Sequence, residues 1–377
     1  MIALNSITRR TQTAATFAEV GRIGVDFSIE NINMVQLGRT VDGKIALKSY
    51  CSVGYKQTRE ELLSSPKNLR KIMRQAIKEH GFKGKNIVSS MPSSDVRIFS
   101  INYTKSKNND DSGAILQALR ERIDEDLSQY VIDYLPVRAS DKEGEQQVLV
   151  AVAKHELVIS YLELLRYSGL HVEALEIRPA AIKRLIYATQ QKQDFKNVLI
   201  INFGSDKSYL TITSGRRLLF DYQLNIGADG FIEKMSNVLE MSKEATLDLI
   251  HKHGFDTSVK KPSSQVAYVD EDITKTLLDI ARPALSELIE EINRVLIFAA
   301  SENHGEAITK IYLLGSLAHW NGIDKYLDKE LKISVKALFD PLEPFYMPSA
   351  NEMSEPIHAP DMAIAAGLAL RGLEDNE

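Results

Sequence analysis

The sequence predicts an α/β protein built as two related lobes around a shared cleft. Three observations carry that expectation: a strand–turn–strand unit that occurs twice, strands and helices that alternate, and a length that allows more than one core. The first copy, Ile23–Leu37, reads I-G-V-D-F-S-I-E-N-I-N-M-V-Q-L. The second, Val198–Thr213, reads V-L-I-I-N-F-G-S-D-K-S-Y-L-T-I-T. Each is an apolar strand ending in Asp26 or Asn202, then an aromatic residue, then Ser28 or Gly204, then a polar turn into a second strand. Small residues at such a turn let backbone N–H groups approach a phosphate chain. Two copies about half a chain apart place two such turns across one cleft. A chain of 377 residues can bury two or three cores.

The first lobe opens with the Ile23–Leu37 hairpin and a strand near Ile45–Val53. A helix follows from Pro66, with Leu69, Ile72, Met73, Ala76 and Ile77 at helical spacing and Gly81 as its stop. Strand Ile87–Ser90 leads through Met91 and Pro92 to a strand at Val96–Asn102. The polar run Thr104–Ser112 reads as a surface loop, and Leu116, Leu119, Ile123 and Leu127 mark an amphipathic helix. Val148–Ala153 is an apolar strand, His155–Ser168 a helix stopped by Gly169, and Val172–Ile177 a strand. The expected division is a flexible leader over 1–20, a first lobe from 21–95 and 154–195, and a small α/β insertion at 96–153. A second lobe then covers 196–372, with a tail at 373–377.

The second lobe repeats the plan. After its hairpin come strand Arg217–Gln223, Gly227 at the mouth of a helix, and a helix over Ser242–His253. The loop Phe255–Gln265 reads as exposed. The long helical stretch Ile273–Asn303 contains Pro283, so a kink or break is expected near Arg282. Strand Ile311–Leu314 ends in Gly315-Ser316, and Gly322 punctuates the next helix. Five prolines between Pro341 and Pro360 mark an irregular crossing before the small-residue helix Met362–Leu370. Ala365, Ala366 and Gly367 give that helix a surface fit for close packing.

Apolar content of 44% and charged content of 26% are those of a globular protein, and the net charge of −5 argues against a dedicated nucleic-acid binder. The single cysteine, Cys51, excludes an intrachain disulfide framework and fits a reducing compartment. No apolar run approaches the roughly 20 residues that span a bilayer. Arg9-Arg10 is followed by no apolar stretch, so a polar leader is expected rather than an export signal. The expected location is cytoplasmic, with membrane contact made through a partner.

In order, the strand–D-x-S hairpin, small insertion, N-F-G-S hairpin, long helix, L-L-G-S…N-G-I and terminal A-I-A-A-G-L-A-L-R-G resemble the PilM family. These are actin-like proteins of type IV pilus assembly, related to the cell-division protein FtsA. The resemblance runs from Gly21 to Gly372. It is most specific in Ala363–Gly372, in E-E-I-N-R-V-L-I-F-A-A-S-E at Glu290–Glu302, and in the strand–helix–strand Val148–Ile177. It implies a two-lobed actin-like (ribonuclease H-like) ATPase fold with a small α/β inserted subdomain. It also implies a place at the inner-membrane pilus platform and capture of the cytoplasmic N-terminal segment of a bitopic PilN-like partner. Many members bind ATP between the lobes.

The resemblance assigns a nucleotide, if retained, to Asp26, Phe27, Ser28, Asn202, Gly204, Ser205, Gly227, Gly315 and Ser316. Asp26 would act on Mg²⁺ through a bound water; the alternative is that it simply holds the hairpin by hydrogen bonds. Several positions depart from the family pattern. Ile29-Glu30-Asn31 replaces a hydroxyl-rich run, and Asn33 replaces a basic residue. Asn202 replaces an aspartate and cannot serve as an anionic base. Ser316 replaces a second glycine, and the ribose-facing positions are Leu247 and Ile250. These departures predict weak or absent ATP binding and no catalytic residue. For the partner peptide, Met91, Pro92, Ile101, Tyr103 and Tyr130 are the candidate contacts.

His251 and His253 read as solvated residues at a helix end rather than a metal pair, and Trp320 as a packing residue. No Walker A, Gly-x-Ser-x-Gly or Ser-His-Asp pattern occurs. The favoured reading is a scaffold with a degenerate nucleotide cleft. The alternatives are an ATP-binding assembly protein whose partner affinity the nucleotide controls, a sugar-kinase-type enzyme, and an FtsA-like division protein. The last would want a C-terminal amphipathic membrane helix, and Leu373–Glu377 is too short and acidic to form one.

Overall fold

The computed structural model describes residues 16–28, 31–55, 58–104, 111–139, 145–189, 197–256, 265–302, 306–347 and 360–374. Arg9-Arg10, Ile29-Glu30, most of the Thr104–Ser112 loop, Lys260-Lys261-Pro262 and the middle of the proline-rich crossing lie outside these residues.

The chain begins with β1 (Phe17–Phe27), β2 (Asn31–Thr40) and β3 (Ile45–Gly54), an antiparallel meander. Helices α1 (Arg59–Leu63) and α2 (Pro66–Glu79) lead to β4 (Asn86–Ser90). Then come β5 (Val96–Thr104), α3 (Asp111–Arg120), β6 (Tyr130–Ala139), β7 (Glu145–Lys154), α4 (His155–Tyr167), β8 (His171–Glu176) and α5 (Arg178–Thr189). The second half supplies β9 (Asn197–Phe203), β10 (Ser208–Ser214), β11 (Arg217–Leu224), α6 (Ala228–Leu239), α7 (Lys243–His253) and α8 (Gln265–Glu302). It closes with β12 (Lys310–Gly315), α9 (Ile323–Leu331), β13 (Ser334–Ala337) and α10 (Ala363–Arg371).

Two five-stranded sheets share one plan. Their orders are β3-β2-β1-β4-β8 and β11-β10-β9-β12-β13. In each, the first three strands are antiparallel and the last two run parallel to the first. The repeated hairpin of the sequence is therefore the start of a repeated sheet. Asp26 and Asn202 each stand one residue before the end of the first strand of their sheet.

Between the sheets lie α5 and α10. Val35, Leu37 and Val88 of the first sheet, Val198, Ile200 and Leu314 of the second, and the apolar side chains of both helices form one buried cluster. Packing this tight demands glycine. A Cβ on Gly367 would stand 2.0 Å from the Ala181 carbonyl oxygen, and one on Gly24 would stand 2.1 Å from that of Ala365. Arg184 of α5 fixes the layer from one side, donating at 2.7 Å to each Glu176 carboxylate oxygen and at 3.2 Å to the Gly367 carbonyl.

The third sheet, β5-β7-β6, carries α3 on one face. Its other face meets the second lobe, where Val137 and Leu149 bury against Leu218 of β11. Strand β6 is absent from the sequence-based expectation, because Pro136 and Asp133 interrupt its apolar pattern. As an edge strand it tolerates Pro136 beside a register shift.

Four expectations need correction. The leader expected over residues 1–20 ends earlier, because Phe17 to Val20 continue β1 and pair with β2. The tail expected from residue 373 begins later, since Leu373 is buried in the central layer. Helix α3 stops at Arg120 instead of reaching Leu127. Leu127 opens a separate 3-10 turn, where the Asp126 side chain caps the Ser128 N–H. Helix α8 continues through Pro283 without the break that was the alternative to a kink: Ala281, Ala284, Leu285 and Leu288 are buried on both sides of it, and that packing outweighs the missing hydrogen bond.

Candidate functional site

At the end of β1 the polar side chains around Asp26 satisfy one another, while Asn202 near the end of β9 lines the neighbouring cavity. Asp26 is fully buried. Its Oδ2 accepts from Ser28 Oγ at 2.7 Å. Its Oδ1 lies 3.2 Å from Arg178 Nη2 and 3.4 Å from Ser90 Oγ. The same Nη2 donates to the Phe27 carbonyl at 3.1 Å. Asn33 donates to Ser28 Oγ at 3.2 Å and accepts from Ser52 Oγ at 2.7 Å. The carbonyl of Ser28 accepts from the Tyr55 hydroxyl. The first turn thus spends its carboxylate and its hydroxyl inside the protein, and the cation beside the carboxylate is an arginine from the first turn of α5.

The second turn is closed in a comparable way. Gly204 N–H donates to the Lys207 carbonyl at 3.1 Å. The carbonyls of Gly204 and Ser205 each accept at 2.9 Å from Ala228 and Asp229, the first N–H groups of α6. Those are the donors a helix start would otherwise offer to phosphate. Gly227 is pressed against the turn, where a Cβ would stand 2.2 Å from the Ser205 carbonyl oxygen. Gly315 has φ +72°, and a Cβ there would meet the Phe203 carbonyl at 2.3 Å. Strand packing accounts for this glycine without a ligand. Ser316 begins a 3-10 turn directly after it. In α7, Ile250 is fully buried in the second-lobe core and Leu247 packs against that core, so neither presents a polar group to the cleft. Trp320 is 1% exposed and packs edge-on to Phe203 and Phe231, as expected of a core residue.

Beside this closed pair of turns is a cavity of about 290 Å³. Arg178, Pro179 and Ile182 of α5 line one side, Val96 and Ile98 of β5 another, and Asn202, Thr211 and Asp221 of the second lobe a third. Its burial pushes the Asp221 carboxyl up to about 6, against a lowering hydrogen bond from Thr211 Oγ1 at 2.6 Å. Met91 also lines the cavity. Pro92, Ile101, Tyr103 and Tyr130, also expected as peptide contacts, do not line it. Ile101 and Tyr103 are buried beneath α3, because they alternate with Ile98 and share the opposite face of β5. Tyr130 is half-buried, with the Arg97 guanidinium 5.3 Å above its ring. Arg178 and Asp221 went unread in the sequence. Arg178 carried a signal, since it is a cation opening an otherwise apolar helix.

The Asp26 carboxylate holds a guanidinium whose Nε is itself buried without a hydrogen-bond partner, and the Gly204 N–H and the first two N–H groups of α6 are taken by carbonyls of the second turn. No group of three or more His, Cys, Asp or Glu suited to a metal ion occurs among the described residues. Nor does any described helix have the length and apolarity to cross a membrane.

The duplicated sheets and the helix pair between them define a two-lobed actin-like protein. Comparison with known proteins narrows the class. The family described as type IV pilus assembly protein PilM matches residues 24–373, and the chain belongs to that family. Among solved structures it resembles a PilM-PilN type IV pilus biogenesis complex at 22% identity, with TM-score 0.73, over 94% of this chain and 99% of that one. It also resembles the ethanolamine utilization protein EutJ from Carboxydothermus hydrogenoformans at 11% identity, with TM-score 0.52, over 95% and 91% of the two chains. No curated protein matches the chain significantly by sequence.

Proposed function

We propose that this pilus-assembly protein works as a scaffold that captures the cytoplasmic N-terminal segment of a bitopic PilN-like membrane protein, and that its nucleotide cleft is degenerate. The observation that carries the second half is the Arg178–Asp26 pair. A fixed internal cation neutralises the carboxylate that a metal would need. Weak or absent ATP binding follows, with Mg²⁺ having no free anionic anchor at Asp26.

The capture reading is supported by the family and by the shape beside α5. Peptides held in such grooves bury a few apolar anchors and can extend a sheet edge. The cavity offers Met91, Val96, Ile98 and Ile182 for an anchor. The outer edge of β5 has no strand partner among the described residues and offers backbone groups beside it. A protein so engaged is peripheral to the inner membrane, joined to it through its partner and linked there to the rest of the pilus platform. The test is pull-down by immobilised N-terminal tails of candidate partners, comparing the native chain with Ile98→Asp. Half-buried Ile98 faces the cavity, so the variant is expected to lose capture while keeping its circular dichroism spectrum. Undiminished capture by the folded variant would place the partner elsewhere.

A further inference from the structure

Helix α2 carries its cations on one side. Leu69, Ile72, Met73 and Ala76 are buried against the first lobe, which turns Lys67, Arg70, Lys71, Arg74 and Lys78 outward. Spacings of three and four residues keep these five on one face. The stripe runs roughly 17 Å at the α-helical rise, and exposed Lys83 and Lys85 continue it past the helix. None of these cations has an ion-pair partner among the described residues. Glu79 is the single acidic residue from 66 to 85, and it accepts from Gln75 at 3.0 Å. In a chain of net charge −5, residues 66–85 hold seven Lys and Arg against one Glu, so the rest of the chain carries a formal net charge of −11.

An exposed aromatic ring adjoins the stripe. Tyr167, at the end of α4, is 58% exposed, and the Arg166 guanidinium lies 5.1 Å from its ring centre. The next residue, Ser168, donates to the Pro66 carbonyl at 3.4 Å, and Gly169 adjoins the Arg70 side chain. Tyr167 therefore stands beside the start of α2. Tyrosine next to lysine and arginine is the composition of surfaces that rest at the headgroup level of a bilayer.

We infer that this face docks directly on an anionic phospholipid surface, in addition to any contact made through a partner. Clusters of four to eight Lys and Arg on an amphipathic helix suit anionic leaflets, and each residue brought to the surface strengthens binding about fivefold. A bilayer fits this charge distribution better than a nucleic acid does. A strand longer than the stripe would run on to the acidic remainder of the protein. A leaflet meets only the face turned towards it and can gather anionic lipid beneath that face. Held there by a membrane partner, even a weak contact gains from effective concentration.

Vesicle co-sedimentation of the full chain, with no partner present, tests the docking separately from peptide capture. The probes are phosphatidylcholine vesicles and vesicles in which about a third of the lipid is phosphatidylglycerol. Binding is expected only to the anionic vesicles, and it should fall away between about 50 mM and 500 mM salt. The triple change Lys71→Gln, Arg74→Gln and Lys78→Gln should weaken it about 100-fold with an unchanged melting curve. The control triple Lys275→Gln, Lys329→Gln and Lys336→Gln alters net charge equally at exposed sites and should bind as the native chain does. The inference is overturned by equal binding to neutral vesicles, by no binding to anionic ones, or by equal loss in both triples. Retention of duplex DNA through the same three residues, without vesicle binding, would also overturn it.

Discussion

Arg178, at the first position of α5, donates to the carboxylate of Asp26 at 3.2 Å and to the carbonyl of Phe27 at 3.1 Å. The two ionised side chains are 152 residues apart in sequence. Their pairing joins the first strand of the first lobe to the helix that leads into the second. Asp26 has no exposed surface, so its charge is tolerable only because Arg178, Ser28 and Ser90 surround it. The pair thereby ties the end of β1 to the start of α5, and under the proposed function it leaves Asp26 no free charge for a metal.

Replacing Arg178 with Met should leave a buried carboxylate without its cation and cost about 3–5 kcal/mol. Urea unfolding monitored by circular dichroism measures this. Adding Asp26→Asn to the same protein should recover a large part of the loss, since the uncompensated charge is then gone. If the double variant were as unstable as the sum of the two singles, the pair would not be the origin of the effect.

Asp221 gives stability a pH dependence with an unusual sign. Its carboxyl is raised from 3.8 to about 6 in the folded protein, chiefly by burial. Across that window the unfolded chain releases the proton and the folded chain keeps it, so stability falls as pH rises and is greatest, for this group, below the lower value. Asp221→Asn retains an acceptor for Thr211 and should stabilise the protein near neutral pH by about 1–3 kcal/mol. The gain should vanish near pH 4. A variant that is no more stable at pH 7 than at pH 4, relative to the native chain, would rule this out.

Gly367→Ala should be among the costliest methyl additions in the chain. The new Cβ would stand 2.0 Å from the Ala181 carbonyl oxygen, and backbone on both helices would have to part. A loss of about 3 kcal/mol or more is expected, at or beyond the upper end for overpacking. Gly230→Ala is the control, because a Cβ there meets nothing within 4 Å; it should be neutral or slightly stabilising in its helix.

The fold was legible because each sheet begins with an apolar strand whose end is marked by Asp26-Phe27-Ser28 or Asn202-Phe203-Gly204. Small residues at Ala365, Ala366 and Gly367 also announced a close helix contact. Less of the site could be read. A motif shows a turn, but not that Arg178, far along the chain, reaches back to it. Likewise Gly315 reads as room for a ligand, whereas its positive φ and its contact with Phe203 serve strand packing. Ile101 and Tyr103 looked available on a strand because α3, which covers them, follows a loop that gives no hint of which face it packs on. Where packing chose between two faces or two partners, local pattern could not.

Isothermal titration of the full chain tests the central claim most directly. The titrants are Mg²⁺–ATP and the N-terminal tail of a PilN-like partner, the tail being titrated with and without the nucleotide. A self-neutralised cleft predicts no saturable binding of Mg²⁺–ATP below the millimolar range, about −4 kcal/mol. It also predicts the same tail affinity in both titrations. A nucleotide dissociation constant below about 10 μM, together with a tail affinity that shifts tenfold or more when ATP is present, would contradict it and make this a nucleotide-controlled assembly protein.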